Sequence, residues 1–213
     1  MRLRITFAKL NALRYTGHLD LHHIWERAAR RAELPLAYSQ GFHPQPKISL
    51  ASALPLGFSS RCEVMDMRLA EDIPLEGLRE RIQAAVPSGL QILQVESVDE
   101  KLPALQMLVA EAEYEVLFAE PAERSALTQR VAQMMDTSSL PRERRGKSYD
   151  LRPLIEQVSV ITDPKGVVRL RMRLAAREGA TGRPEEVLDH LGIPADTVRV
   201  ERTRLIFANE TIE

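Results

Sequence analysis

The sequence predicts an α+β fold made of two tandem ferredoxin-like βαββαβ halves with antiparallel sheets. Three observations predict it. Short segments alternate apolar and polar residues, the pattern of strands with one buried face. Between them lie longer segments whose apolar residues recur at helical spacing. The order strand, helix, strand, strand, helix, strand then occurs twice in 213 residues. Such an order needs crossover connections, and right-handed crossovers place both helices on one sheet face. Only element order repeats, not residue identity, so a single continuous α+β domain is the alternative.

The first half is expected over residues 1–102. Leu3, Ile5 and Phe7 alternate with Arg4, Thr6 and Ala8 as a strand. A polar stretch, Asn11 to Gly17, leads to a helix over 19–33 with Leu21, Ile24, Trp25, Ala28 and Ala32 on its apolar face. Leu34-Pro35 ends it, because the residue before a proline avoids the helical region. Gly41, Pro44 and Pro46 mark an ordered loop within 36–60, and 47–51 reads as a short strand. It pairs with the alternating run 62–69. Pro74 offers a helix start, followed by the stripe Leu75, Leu78, Ile82, Ala85 and Val86. The run 90–98 is the closing strand.

After a connector over 101–107, the second half is expected over residues 108–213. The run 114–118 is a strand, and 121–135 a helix with Leu127, Val131 and Met134 on one face. Residues 139–152 read as a polar, basic loop. A strand over 154–161 meets the turn Asp163-Pro164-Lys165-Gly166 and a partner over 167–174. A helix over 183–191 has Pro184 near its start and Gly192 after its end. The run 198–207 closes the half.

Composition suits a packed core: 44% of residues are hydrophobic and 28% charged. Aromatics are only 5%, which leaves the core to Leu, Ile, Val, Ala and Met. A net charge of −1 gives no overall pull on nucleic acid. Residues 1–50 are nevertheless basic, with Arg2, Arg4, Lys9, Arg14, Arg27, Arg30, Arg31 and Lys47 against Asp20, Glu26 and Glu33. The single cysteine, Cys62, excludes an internal disulfide and a three-cysteine iron–sulfur site, and suits a reducing cytoplasm. No apolar stretch approaches the roughly 20 residues of a membrane span, and no signal peptide is expected at Met1–Lys9.

Three basic groups are the candidate nucleic-acid contacts. Arg169, Arg171 and Arg173 share one strand face, where they need an anion or carboxylates such as Glu156 or Glu201 opposite. Arg142, Arg144, Arg145 and Lys147 form a basic loop suited to phosphates. Arg27, Arg30 and Arg31 with His43 and Lys47 form a rim beside Tyr38 and Phe42. Those two rings either stack on bases or pin the loop to the core, and pinning is the expectation for Phe42. His18 and His22 lie one helical turn apart, yet no further ligands complete a metal site. His18 and His43 are the candidate general bases, without a second catalytic group placed beside either. With no glycine phosphate loop, nucleophile elbow or CxxC pair, the chain reads as a binding protein without a cofactor of its own.

The segments Tyr15-Thr-Gly-His-Leu-Asp, Arg27 to Ser49 with its core SQGFHPQPKIS, Ala53-Leu-Pro-Leu-Gly and Glu63 resemble the radical-SAM-linked family of uncharacterised bacterial proteins. Tyr149-Asp-Leu-Arg-Pro-Leu-Ile and Arg183-Pro-Glu-Glu-Val-Leu resemble its later blocks. Here Gly17 stands where the family places a serine before His18. The resemblance implies a domain fused to, or encoded beside, a radical SAM protein, and no catalytic residues. The function expected is therefore a cytoplasmic accessory protein that binds structured RNA, tRNA or rRNA, for modification by that partner. The alternatives are a metal-independent RNA endonuclease, resembling CRISPR repeat-processing enzymes in fold, and a protein docking module for the radical SAM partner.

Overall fold

The computed structural model describes residues 1–144 and 146–208. The fold is α+β with antiparallel strand pairing, as the alternation predicts. The chain divides into two units, Met1–Leu108 and Val109–Glu213.

In the first unit, β1 (Arg2–Lys9) leads through a 3-10 turn (Asn11–Tyr15) into α1 (His18–Arg31). There follow β2 (Ile48–Leu50), β3 (Ser59–Arg68), α2 (Leu78–Ala85), β4 (Leu90–Val98) and a short helix α3 (Leu105–Leu108). The strands are ordered β2-β3-β1-β4. The register sets Leu3 against Met67 and Ile5 against Met65, and those residues join Phe7, Trp25, Leu78 and Ile82 in one core. Phe7 and Trp25 meet edge to face with centroids 4.8 Å apart. Each such fully buried side chain contributes about 1.5–3 kcal/mol of transfer free energy. The other sheet face holds a buried ion cluster. Arg2 Nε and Arg4 Nε each donate to Asp66 at 2.9 Å, while Arg2 Nη1 reaches the Leu102 carbonyl at 2.7 Å. Helix α2 begins later than Pro74 because Gly77, at φ +65°, turns the chain immediately before it.

In the second unit, β5 (Val109–Phe118) is followed by α4 (Arg124–Asp136), whose first turn is capped by the Glu123 carboxylate accepting from Ser125 N and Ala126 N. Next come β6 (Pro141–Arg144), β7 (Lys147–Asp150), β8 (Ile155–Thr162), β9 (Val168–Arg177), β10 (Ala180–Thr181), α5 (Pro184–His190) and β11 (Val198–Phe207). The main strands are ordered β8-β9-β5-β11, and β10 pairs with the end of β9. Ala112, Tyr114 and Val116 oppose Leu174, Met172 and Leu170. All are buried, as are Leu127, Val131 and Met134 of α4. The basic loop expected over 139–152 is instead a hairpin, paired from Pro141↔Asp150 to Arg144↔Lys147. Its alternation is too short to read from sequence. No helix among the described residues is long and apolar enough to cross a membrane.

Candidate functional site

The arginine strand meets carboxylates, but they are Asp163, Glu115 and Glu111 rather than the expected Glu156 or Glu201. Arg169 donates to Asp163 at 2.7 Å and to Glu115 at 3.2 Å. Arg171 donates to the other Glu115 oxygen at 2.9 Å, and Arg173 pairs with Glu111 at 3.2 Å. Glu111 and Glu115 come from β5, the central neighbour of β9, and Asp163 from the turn before it. Burial alone would raise the Glu115 pKa. The hydrogen bonds from Arg171 and Arg169 outweigh it and hold the group below its ordinary value. The two guanidiniums that line the cleft of about 560 Å³, those of Arg169 and Arg171, are therefore already matched to carboxylates.

The rim residues of the first unit separate by role. Arg31 donates twice to the Ala85 carbonyl, through Nε at 2.9 Å, and so ties α1 to the end of α2. Arg30 pairs with Glu26 at 2.6 Å, and its pKa is raised chiefly by Tyr38 and then by Glu26. Arg27 lies exposed and reaches only the His23 carbonyl of its own helix, at 3.3 Å. Lys47 is exposed and borders a shallow hollow of about 280 Å³ with Arg2, Ser49, Asp66 and Arg68. His43 lies in the exposed tip of the 36–47 segment beside Phe42, which is 102% exposed. Phe42 thus does not pin the loop to the core. The segment closes through its own backbone, with Ser39 N donating to Gln45 O at 2.8 Å, and needs no aromatic anchor.

His18 opens α1 and faces His22, with ring centroids 6.4 Å apart. Its pKa is pulled down chiefly by burial and then by His22, against a rise from Glu63. Lys9 and Glu63 are buried nearby in sequence-distant positions of β1 and β3, and Lys9 Nζ donates to the Thr16 carbonyl at 2.9 Å. His22 Nε2 lies 2.9 Å from the Ile48 carbonyl. A carbonyl only accepts, so that nitrogen carries the proton, and the ring ties α1 to β2. Among the described residues, no group of three or more His, Cys, Asp or Glu could hold a metal ion.

A different basic cleft lies in the second unit. The β6–β7 hairpin and the segment 179–183 enclose about 550 Å³, lined among others by Arg144, Lys147, Tyr149, Thr181 and Arg183. The hairpin wall is fixed by Arg142, whose guanidinium donates to the Glu186 carbonyl at 3.1 Å and pairs with Asp189 at 3.4 Å. The opposite wall is fixed by Gly182, packed against Leu154 and Leu174. Asp150, the one acid of the lining, has its carboxylate engaged by Leu140 N at 2.7 Å and Arg152 N at 2.9 Å. Burial, and then a hydrogen bond to Glu186, push the Tyr149 phenol up to about 12. It stays a protonated donor at any physiological pH. Among the described residues, the side chains of Arg144, Lys147 and Arg183 have neither a hydrogen bond nor an ion pair. Arg145 lies outside the described residues. Composition singled out Arg142, Arg144 and Lys147, but not Tyr149, Thr181 or Arg183. The signal for Tyr149 and Arg183 was the pair of sequence blocks that begin at them and converge on this cleft; Thr181 lies in neither block.

The fold and this cleft define a mixed α+β protein with a basic cleft beside the β6–β7 hairpin. The chain belongs to the family described as "Uncharacterized protein conserved in bacteria (DUF2344)", which matches residues 2–184. Comparison with curated proteins finds no match. Among solved structures, a chain from "Crystal Structure of a Cbf5-Nop10-Gar1 Complex" is similar, with a TM-score of 0.51 and 10% identity. The likeness covers 95% of this chain and 48% of that one, so this chain spans about half the length of its structural relative. At such identity the similarity concerns the fold alone.

Proposed function

We propose that this chain is a cytoplasmic accessory protein that binds structured RNA and offers it to a radical SAM partner. Each unit is read as a ferredoxin-like half, since β2-β3-β1-β4 and β8-β9-β5-β11 follow the same path through their element orders. The observation that carries the RNA reading is the cleft of Arg144, Lys147 and Arg183, whose side chains have no ion pair among the described residues. Three guanidinium or ammonium groups around a concave surface repel one another unless an anion joins them. A phosphodiester backbone supplies such anions, and Tyr149 and Thr181 line the cleft beside the cations. The radical SAM partner is supported by the resemblance of the segments at 15–66.

Mobility shift with total tRNA and with rRNA fragments across a salt series tests this. Wild-type binding is expected to weaken steeply with salt. The variant Arg144→Ala, Lys147→Ala, Arg183→Ala is expected to lose roughly two to three from the slope of log K against log salt. Absence of binding at low salt, or a slope unchanged in the triple variant, refutes the reading.

A further inference from the structure

The segment 36–47, the most distinctive stretch of the sequence, takes no part in that cleft. It leaves α1 and returns to β2 as a stiff, hairpin-like excursion. Lys47 N donates to Ala37 O at 2.9 Å and Ser39 N to Gln45 O at 2.8 Å. Gln45 N donates to Ser39 Oγ at 2.9 Å, and Tyr38 bridges to Pro46. Pro44 and Pro46 fix φ on the returning arm. Gly41, at φ +124°, takes a conformation that other residues rarely adopt. The tip is therefore built to hold one shape, and that shape projects Phe42 wholly into solvent, at 102% exposure.

A phenyl ring so placed forgoes the burial that ordinarily fixes aromatics in a fold. Its neighbours Gln40, Gly41, His43, Pro44 and Gln45 are exposed and offer no broad apolar patch of the kind that docks proteins. Polar and basic groups attend it instead: His43 adjacent, Lys47 exposed at the foot, and Tyr38, 37% exposed, on the same segment. An isolated rigid ring among polar and basic groups is the arrangement that stacks on an unpaired base. We infer that Phe42 is a stacking platform for an unpaired nucleobase of RNA. The inference takes its ligand class from the proposed function but rests on a separate set of residues.

The test uses the full chain carrying Phe42→Trp. The native tryptophan, Trp25, is wholly buried, so the new indole reports on the tip. A short unpaired oligoribonucleotide is expected to quench it, and a fully paired duplex of the same composition is not. Phe42→Ala is expected to weaken binding of the unpaired strand roughly five-fold or more, while Phe42→Tyr keeps it. The salt slope stays unchanged, because no cation is lost. Absence of quenching, wild-type affinity in Phe42→Ala, or full retention by Phe42→Leu overturns the inference. The last outcome marks insertion into an apolar pocket of a partner protein. Quenching that persists while the cleft variant keeps its salt slope sinks the RNA cleft and leaves the platform standing. The converse sinks the platform alone.

Discussion

A methyl group on Gly182 would lie 2.6 Å from the Leu154 carbonyl oxygen and 3.1 Å from Leu174 Cβ. Leu174 is held in β9 and Leu154 in the 3-10 turn (Arg152–Leu154) that leads into β8, so the loop must give way. Gly182→Ala is expected to cost about 1–3 kcal/mol, seen as a lower midpoint in thermal or urea unfolding. It is also expected to displace Thr181 and Arg183 and so to weaken the proposed RNA binding even where the fold survives. A second residue couples stability to pH. His18 has an ordinary value of 6.5 and a lower one in the fold, because burial and His22 disfavour its charged form. The unfolded chain therefore takes up the proton first. The stability associated with neutral His18 is present above pH 6.5 and is lost as pH falls through the lowered value. Urea midpoints are expected to fall on acidification from pH 7 to 5 in the wild type, and to fall less in His18→Gln. Equal slopes for the two proteins would show that His18 titrates normally.

At the scale of elements, the β9 and β5 strands form a charge ladder whose members already satisfy one another. Glu115 holds both Arg169 and Arg171, at 3.2 and 2.9 Å. Glu115→Ala is expected to cost roughly 1–2 kcal/mol once the exposure of Arg171 is allowed for. It should also tighten RNA binding and steepen its salt dependence slightly, since the Arg171 guanidinium then lacks its carboxylate while Arg169 keeps Asp163. Arg171→Ala in the wild type should leave RNA affinity unchanged, and a clear loss would assign the ladder to the interface after all. The arginine alternation was legible from sequence, because a period of two puts Arg169, Arg171 and Arg173 on one face. Their partners were not, because pairing depends on which strand lies beside β9, and β5 sits more than fifty residues away in sequence (Arg169 and Glu115 differ by 54). The β6–β7 hairpin was hidden for another reason. Its two four-residue strands carry charges on both faces and so show no hydrophobic period.

Over the whole molecule, the apolar pattern carried the fold class, the alternating strands and the main helices. Leu3, Ile5 and Phe7, or Leu170, Met172 and Leu174, announce a buried face in whatever sheet they join. What the pattern could not carry was exposure against expectation. Phe42 looks like a core residue by chemistry, and only the backbone rungs of 36–47 explain why the fold can leave it outside. The cleft was half legible, through Arg144 and Lys147, and completed by Tyr149 and Arg183 from blocks that are distant in sequence. The ladder on β9 has one more effect, on how the chain finds its register. A slip of β9 by one residue would turn Arg169, Arg171 and Arg173 towards α4 and push Leu170, Met172 and Leu174 into water. Three unpaired cations would then be buried at once, a cost no compact misfold of this unit could absorb. The same charges that look like a binding surface thus also penalise a slipped register of β9.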